Sequence, residues 1–165
     1  MRFRTIGLCL VLLAMATVAA AQTKVTGVLQ CGKPEVEQSV PAGDQPDHLF
    51  GVSKVSCNWT KAMDVAGFQS KTGTSTSINE ITGSNVKAHG QHVSTMATGE
   101  KTFVRFEGST ILKEGVAQTA QGSWSYTGGT GKLEGIKGKG TYKGKANPDG
   151  TITYEVEGEY TLPPK

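Results

Sequence analysis

Residues 137–162 read KGKGTYKGKANPDGTITYEVEGEYTL and give the clearest indication of the fold. Its centre, residues 147–150, reads Asn-Pro-Asp-Gly and is typical of a tight turn, because proline presets φ at the second position and glycine suits the last. Before the turn, lysines alternate with glycines and Tyr142; after it, apolar and aromatic residues alternate with threonines and glutamates. This period of two on both sides of a turn predicts an antiparallel β-hairpin. We expect its lysine and glutamate faces to lie side by side on the outside of the sheet.

The rest of the chain continues in the same style. No segment shows a sustained helical stripe, and short alternating runs are separated by Gly, Pro, Asn and Asp. Further strands are predicted near residues 24–31, 48–60, 72–81, 86–97, 101–113 and 117–127, with a proline-containing loop over 33–47. About eight such strands favour an antiparallel sandwich or barrel, and a barrel has the advantage of leaving no open sheet edge.

Strand periodicity also assigns side chains to faces. Trp124 shares a face with Tyr126, and Val104 shares one with Phe106. The same periodicity predicts that His92 shares a face with Ser94 and Met96. It also predicts that Glu80 shares a face with Ile78. All these assignments assume strands without bulges, since one extra residue inverts a face.

The first 21 residues have the layout of an export signal. Arg2 and Arg4 precede a stretch without charged residues over 5–18, and three alanines end it at Ala21. A basic end, an apolar middle and small residues at the cut are typical of a secretory signal peptide. The alternative is a membrane anchor, but the apolar part is shorter than the roughly 20 residues that a bilayer requires. We expect cleavage between Ala21 and Gln22, a single domain over 22–165, no membrane span in it, and a secreted or periplasmic location.

The charge and cysteine content narrow the class of protein. Loss of Arg2 and Arg4 would lower the formal net charge from +3 to about +1, so no nucleic-acid partner is expected. Two cysteines, Cys31 and Cys57, remain after cleavage. In an oxidising compartment they are predicted to form a disulfide, worth on the order of 3 kcal/mol. The alternatives are a thiol pair or a metal pair, although two cysteines are too few for a structural zinc site.

The sequence contains no motif that is specific for one kind of chemistry. The glycine-rich stretch 128–144 lacks the spacing of a P-loop and of the G-x-G-x-x-G dinucleotide fingerprint. His89 and His92 are three residues apart and therefore point to opposite faces of a strand, so no metal site is expected. No serine lies in a G-x-S-x-G elbow.

The segment GSWSYTGGTGKLEGIKG, residues 122–138, resembles a motif of the allene oxide cyclase-like and dirigent-like barrel superfamily, especially its small exported bacterial members. The resemblance covers about a fifth of residues 22–165. It implies a calycin-like, eight-stranded antiparallel barrel with an internal cavity, no cofactor, and assembly as a homotrimer. The G-G-T-G-K part is implied to be a structural turn, and no catalytic residue is carried over.

Three functions remain as hypotheses, and a protein without enzymatic activity is favoured over an enzyme. The first is a barrel that binds a small apolar or aromatic ligand. The residues expected to line it are Phe106, Trp124, Tyr126, Tyr142, Tyr154 and Tyr160. The second is a cofactor-free isomerase or cyclase on a lipid-like substrate, with Glu80 and His92 as acid/base or anchoring groups, because it needs a polar group in an apolar cavity. The third is a structural or interaction protein of the envelope whose barrel is filled.

Overall fold

Ten strands and one 3₁₀ turn follow one another in the computed structural model, which describes residues 22–164. The elements are β1 (Thr23–Cys31), β2 (Val36–Pro41), β3 (His48–Lys61), β4 (Asp64–Val65), β5 (Phe68–Thr82), β6 (Asn85–Met96), β7 (Lys101–Lys113), β8 (Val116–Gly129), the 3₁₀ turn (Gly131–Leu133), β9 (Lys137–Ala146) and β10 (Ile152–Thr161). The predicted signal peptide, residues 1–21, lies outside the described residues, so its cleavage stays a prediction. Within residues 22–164 no helix has the length and apolar character needed to cross a bilayer.

Eight of the strands close into an antiparallel barrel. Around the barrel the order is β1, β10, β9, β8, β7, β6, β5 and β3, and β3 closes the ring by pairing with β1. Every pairing in the ring is antiparallel. The predicted eight-stranded barrel is therefore confirmed, and closure removes the open edges that a flat sheet would expose.

Two short strands lie outside the ring and were not predicted. The strand β2 pairs with the first half of β3, in the region predicted to be a loop, and β4 pairs with the start of β5. All six residues of β2 are exposed. A strand that buries neither face has no reason to alternate in polarity, which is why its sequence reads as a loop.

The β9–β10 hairpin has the predicted register. Lys139 lies opposite Glu159, and Lys143 lies opposite Glu155. These four side chains are on the exposed face of their strands. Lysines and glutamates thus lie side by side outside the barrel, as predicted.

Aromatic residues on the inner face lie directly opposite glycines of the neighbouring strand. The pairs are Phe106 with Gly90, Trp124 with Gly140, Tyr142 with Gly122, and Tyr154 with Gly144. In each pair the ring covers the glycine closely: a Cβ atom at Gly140 would lie 2.7 Å from Trp124 Cε2, and one at Gly144 would lie 2.6 Å from Tyr154 Cε1. The glycines of the inner face therefore make room for rings that lie against the barrel wall.

One end of the barrel is closed by a hydrophobic core. Leu133 of the 3₁₀ turn and Ile136 are fully buried there and pack with Val65, Met63 and Tyr160. The Tyr160 hydroxyl oxygen accepts a hydrogen bond from the Ala66 N–H at 2.8 Å. The segment resembling the cyclase and dirigent motif thus supplies the base of the barrel.

The two cysteines form the predicted disulfide. Cys31 and Cys57 are directly opposite each other on β1 and β3, and their Sγ atoms are 2.05 Å apart. The bridge is buried beside Leu29. It joins two neighbouring strands at the point where the barrel closes.

The outer face of β2, β3 and β5 carries exposed apolar side chains. These are Val36, Val40, Phe50, Val52 and Ile78. Val52 pairs with Ile78, and Val40 pairs with Phe50, so the residues form one patch on adjacent strands. On β5, therefore, the apolar Ile78 lies on the outside of the barrel.

Candidate functional site

The barrel encloses a cavity of about 880 Å³ above its closed end. Side chains from all eight barrel strands line it, and it opens between three connections: the β1–β2 link at Lys33, the β7–β8 turn at Gly115 and the β9–β10 turn at Pro148. A volume of this size is within the range of small-molecule sites, roughly 300–1,000 Å³. The interior is therefore large enough to admit a ligand.

Aromatic rings form one wall of the cavity. Phe106 and Tyr142 meet edge to face with centroids 6.5 Å apart, and Tyr142 meets Tyr154 in the same way at 5.8 Å. Lower down, Trp124 and Tyr126 are 5.0 Å apart. Edge-to-face contacts of this kind stabilise a fixed ring arrangement by about 0.5–1.5 kcal/mol each. The wall is thus a set of rings held by one another.

The tyrosines of this wall remain protonated at neutral pH. Burial raises the pKa of Tyr142 to about 12, with smaller contributions from Tyr154 and Glu107. Burial also raises the pKa of Tyr154 and of Tyr126. The Tyr142 hydroxyl donates to the Glu107 carbonyl oxygen at 3.4 Å, a long contact.

Hydroxyl and amide side chains form the opposite wall. Ser75, Ser77 and Asn79 point inward from β5 and Ser53 points inward from β3. Asn79 Nδ2 donates to Ser53 Oγ at 3.1 Å, and the Ser53 and Ser77 hydroxyl oxygens are 2.8 Å apart. In the order of the ring, β3, β5 and β6 lie across the barrel from β8, β9 and β10. The cavity therefore has a polar side and an aromatic side that face each other.

His92 is the centre of the polar wall. Its Nδ1 lies 2.7 Å from Ser75 Oγ, and its Nε2 lies 3.0 Å from Ser94 Oγ. Trp59 Nε1 donates to the same Ser94 oxygen at 3.2 Å. The ring lies against Gly73, where a Cβ atom would come within 2.4 Å of it. Burial lowers the pKa of His92 to about 4, so the imidazole is neutral at pH 7.

Ionised groups occur only at the mouth among the described residues that line the cavity. Lys33, Glu37 and Asp149 border the opening, and all three are exposed. No group of three or more His, Cys, Asp or Glu side chains within residues 22–164 is placed to hold a metal ion. The deep part of the cavity thus offers hydroxyl, amide and aromatic groups.

Most of the aromatic residues expected inside the barrel line the cavity. Phe106, Trp124, Tyr126, Tyr142 and Tyr154 border it. The sixth, Tyr160, lies instead in the core of the closed end, where it contacts Ala66. Whether the five lining rings bind a ligand stays a prediction.

The two candidate acid/base residues are separated by the barrel wall. His92 lines the cavity, whereas Glu80 lies on the outer face with Ile78 and Phe50. The Glu80 side chain is 42% exposed, and its carboxylate is 3.3 Å from His48 Nε2. The structure therefore places Glu80 outside the cavity, and the two candidate residues do not lie together.

The serine and asparagine residues of the polar wall were missed by the sequence-based assignment. Their signal was present, since Ser75, Ser77 and Asn79 recur at every second position of β5. The usual expectation that the apolar face of a strand is buried assigned the wrong side to β5.

Comparisons with known proteins find a similar solved structure and show no family. No protein-family profile and no curated protein sequence matches it. Among solved structures it is similar to a pyocyanin demethylase over most of its length. The two chains are 20% identical with a TM-score of 0.42, and the match covers 81% of this chain and 98% of that one. At this level of similarity, the residues of the cavity remain the basis for a function.

Proposed function

We propose that the barrel binds a small, largely aromatic ligand in its cavity and acts as a binding protein. The observation that carries the proposal is the cavity itself: about 880 Å³ of space between an aromatic wall and a hydroxyl-rich wall. Planar rings stack on or meet aromatic side chains favourably. A ligand with an aromatic body and a polar edge matches both sides.

The position of the hydrophobic core supports an open interior. Leu133 and Ile136 fill the closed end with full burial, whereas Phe106, Tyr142 and Tyr154 above them are only half-buried. A barrel that served a purely structural role would be filled along its length, as small eight-stranded barrels can be. The cavity therefore speaks against the hypothesis of a filled structural barrel.

An isomerase or cyclase remains the alternative, and His92 is the observation that favours it. Its imidazole lines the deep cavity, and histidine is the side chain that most often transfers protons in enzymes. The enzymatic alternative predicts that His92→Gln abolishes turnover of an identified substrate while Glu80→Gln preserves it. Full activity of the His92 variant would reject the alternative.

The proposal also covers the superfamily, the oligomeric state, the location and the partners of the protein. Membership of the allene oxide cyclase-like and dirigent-like superfamily is supported by residues 122–138, and it carries with it the homotrimer. Export to the periplasm or medium is supported by the signal-like pattern of residues 1–21 and by the disulfide. With a mature net charge near +1, nucleic acid is not proposed as a partner.

The experiment is native mass spectrometry of the mature protein purified from the export fraction of its own host, followed by titration with a panel of small aromatic compounds. We expect wild type to carry or take up one small molecule per barrel. Ala88 points into the cavity and His89 points outward from the same strand. Ala88→Phe should therefore lose the ligand while His89→Phe keeps it.

Two results would overturn the proposal. One is a wild type that is free of ligand and takes up none of the panel. The other is equal uptake by the Ala88→Phe and His89→Phe variants, which would place the ligand outside the barrel. The same spectra report the mass of the assembly, and a mass other than three chains would reject the homotrimer.

A further inference from the structure

A chain of hydrogen bonds in the polar wall has a defined direction. Trp59 Nε1–H can only donate, so Ser94 Oγ accepts from it. Ser94 is 4% exposed, and its own hydrogen finds its acceptor at Nε2 of His92, 3.0 Å away. Nε2 then carries no hydrogen, and Nδ1–H of His92 donates to Ser75 Oγ.

The opposite tautomer of His92 is less favourable. With the hydrogen on Nε2, Ser94 Oγ would accept twice, and the hydrogen without an acceptor among the described residues would belong to Ser94, which is only 4% exposed. The Nδ1–H tautomer instead leaves free the hydrogen of Ser75, which is half-buried. A buried hydrogen-bonding group without a partner costs roughly 1–3 kcal/mol. We therefore assign the Nδ1–H tautomer. It leaves the Ser75 hydroxyl hydrogen as the free end of the chain, at the surface of the cavity.

A second chain ends in the same way. Asn79 Nδ2 donates to Ser53 Oγ. One hydroxyl of the Ser53–Ser77 pair donates to the other. The other hydroxyl hydrogen of this pair is left for the cavity. When Ser53, which accepts from Asn79, donates onward to Ser77, the free hydrogen belongs to Ser77. Ser77 follows Ser75 by two residues on the same face of β5, so the two chains then end roughly 7 Å apart along the strand.

Among the described residues, the deep cavity has no ionised side chain that would neutralise a charged ligand. Lys33, Glu37 and Asp149 are at the mouth and exposed to solvent, and the described inner wall above the base holds hydroxyl, amide, imidazole and ring groups. An ionised group buried without a partner carries a large desolvation cost. Hydroxyl hydrogens, by contrast, are satisfied by a neutral acceptor.

We infer that the cavity selects uncharged aromatic ligands that carry a hydrogen-bond acceptor, a ketone oxygen or ring nitrogen, on the edge that meets Ser75 and Ser77. This inference rests on the proposed function and specifies its ligand class. Ser75 is the specificity-determining donor, and the chain through Trp59, Ser94 and His92 orients its hydrogen.

The test is equilibrium dialysis of the mature protein against three matched probes: fluorene, 9-fluorenone and 9-fluorenone-2-carboxylate. The ratio of the affinities for 9-fluorenone and fluorene is compared between variants, because this comparison cancels the different hydrophobicity of the two probes. One neutral hydrogen bond corresponds to about a 3- to 10-fold change in affinity. We expect the ratio to fall by that factor in Ser75→Ala, and the carboxylate to bind at least about 10-fold more weakly than 9-fluorenone to wild type.

Ser109→Ala is the matched control, since Ser109 faces outward from β7 opposite Lys87. It should keep the wild-type ratio, and Ser77→Ala repeats the test at the second donor if Ser75→Ala does not fold. Binding of both neutral probes with an unchanged ratio in Ser75→Ala and Ser77→Ala overturns the ligand class but leaves the binding function intact. Carboxylate affinity equal to that of 9-fluorenone does the same. Failure of all three probes to bind wild type counts against both proposals.

Discussion

Phe106 covers Gly90 across the β6–β7 strand pair. The two residues are direct partners, and a Cβ atom at Gly90 would lie 2.9 Å from Phe106 Cζ and 2.1 Å from the Thr76 carbonyl oxygen. Neither a ring held in a wall nor a backbone carbonyl has room for an added methyl group. The glycine at this position is therefore required by the neighbouring strands on both sides.

Replacement of Gly90 by alanine should destabilise the barrel. The added methyl group displaces the ring and the β5 backbone, and overpacking of this kind costs about 1–3 kcal/mol. The free energy of unfolding, measured in urea, checks the value. Gly128→Ala is the control, because its nearest neighbour would be Phe103 Cδ2 at 3.5 Å, an ordinary contact; it should stay within about 0.5 kcal/mol of wild type. Equal losses in both variants would contradict the role of the Gly90 contact.

The buried His92 should make the stability depend on pH. Burial lowers its pKa to about 4 in the folded protein, whereas an unfolded chain titrates near 6.5. Between these values the unfolded state binds a proton that the folded state does not, so stability falls as the pH drops from about 6.5 to about 4. At pH 4.5 the loss relative to pH 7 should be about 2 kcal/mol larger in wild type than in His92→Gln.

His89→Gln provides the control for this titration. His89 is exposed on the outer face of the same strand, so its replacement should leave the pH dependence of wild type unchanged. A loss of stability between pH 7 and pH 4.5 that is identical in wild type and His92→Gln would contradict the assignment of a neutral His92.

Leucine-to-alanine substitutions at the two ends of the barrel should lower the free energy of unfolding by different amounts. Leu133 is fully buried in the closed end, and Leu112 is partly exposed beside the cavity. We expect Leu133→Ala to lose about 2–5 kcal/mol, because it leaves a void in a packed core. Leu112→Ala should lose about 1 kcal/mol, since no new void is closed off there. Chemical unfolding of both variants decides; similar losses would show that the two ends are packed alike.

Reduction of the disulfide should weaken the fold without removing any side chain. The bridge closes a loop with a sequence separation of 26 residues, and loop-closure entropy gives it a value of about 3 kcal/mol. The unfolding midpoints of oxidised and fully reduced protein, with the redox state checked by mass, measure this directly. A variant with serine at both Cys31 and Cys57 should show no response to the reductant. Coincident midpoints of the oxidised and reduced wild type would refute the stabilising role.

Alternation in the sequence predicted the eight barrel strands because each of them separates two different surroundings. The hairpin of β9 and β10 is the clearest case, with Tyr142 and Tyr154 inside and charged residues outside. The strand β2 separates solvent from solvent, so it left no such signal. The pairing of the cysteines followed from their number after signal cleavage and from the oxidising compartment that export implies.

Glu80 shares a face with Ile78, as predicted, but this face is the outside of the barrel. On β5 the side chains that line the cavity include Ser75, Ser77 and Asn79, with Ile81 nearer the end of the strand, and the outward ones include Ile78. A cavity with a polar wall inverts the expected polarity of the strand that forms it. The contacts of His92 with Ser75 and Trp59 also depend on the register between three strands, which a single sequence does not display.

The closed end of the barrel has a consequence for the timing of ligand exchange. With Leu133 and Ile136 sealing the base, the cavity is blind, and a molecule leaves through the opening by which it entered. A second molecule can enter only after the first has left, so exchange of a bound molecule is sequential. The ligand proposed for the cavity would have to pass the three connections at the mouth, including the β7–β8 turn, where Glu114 and Gly115 both have positive φ.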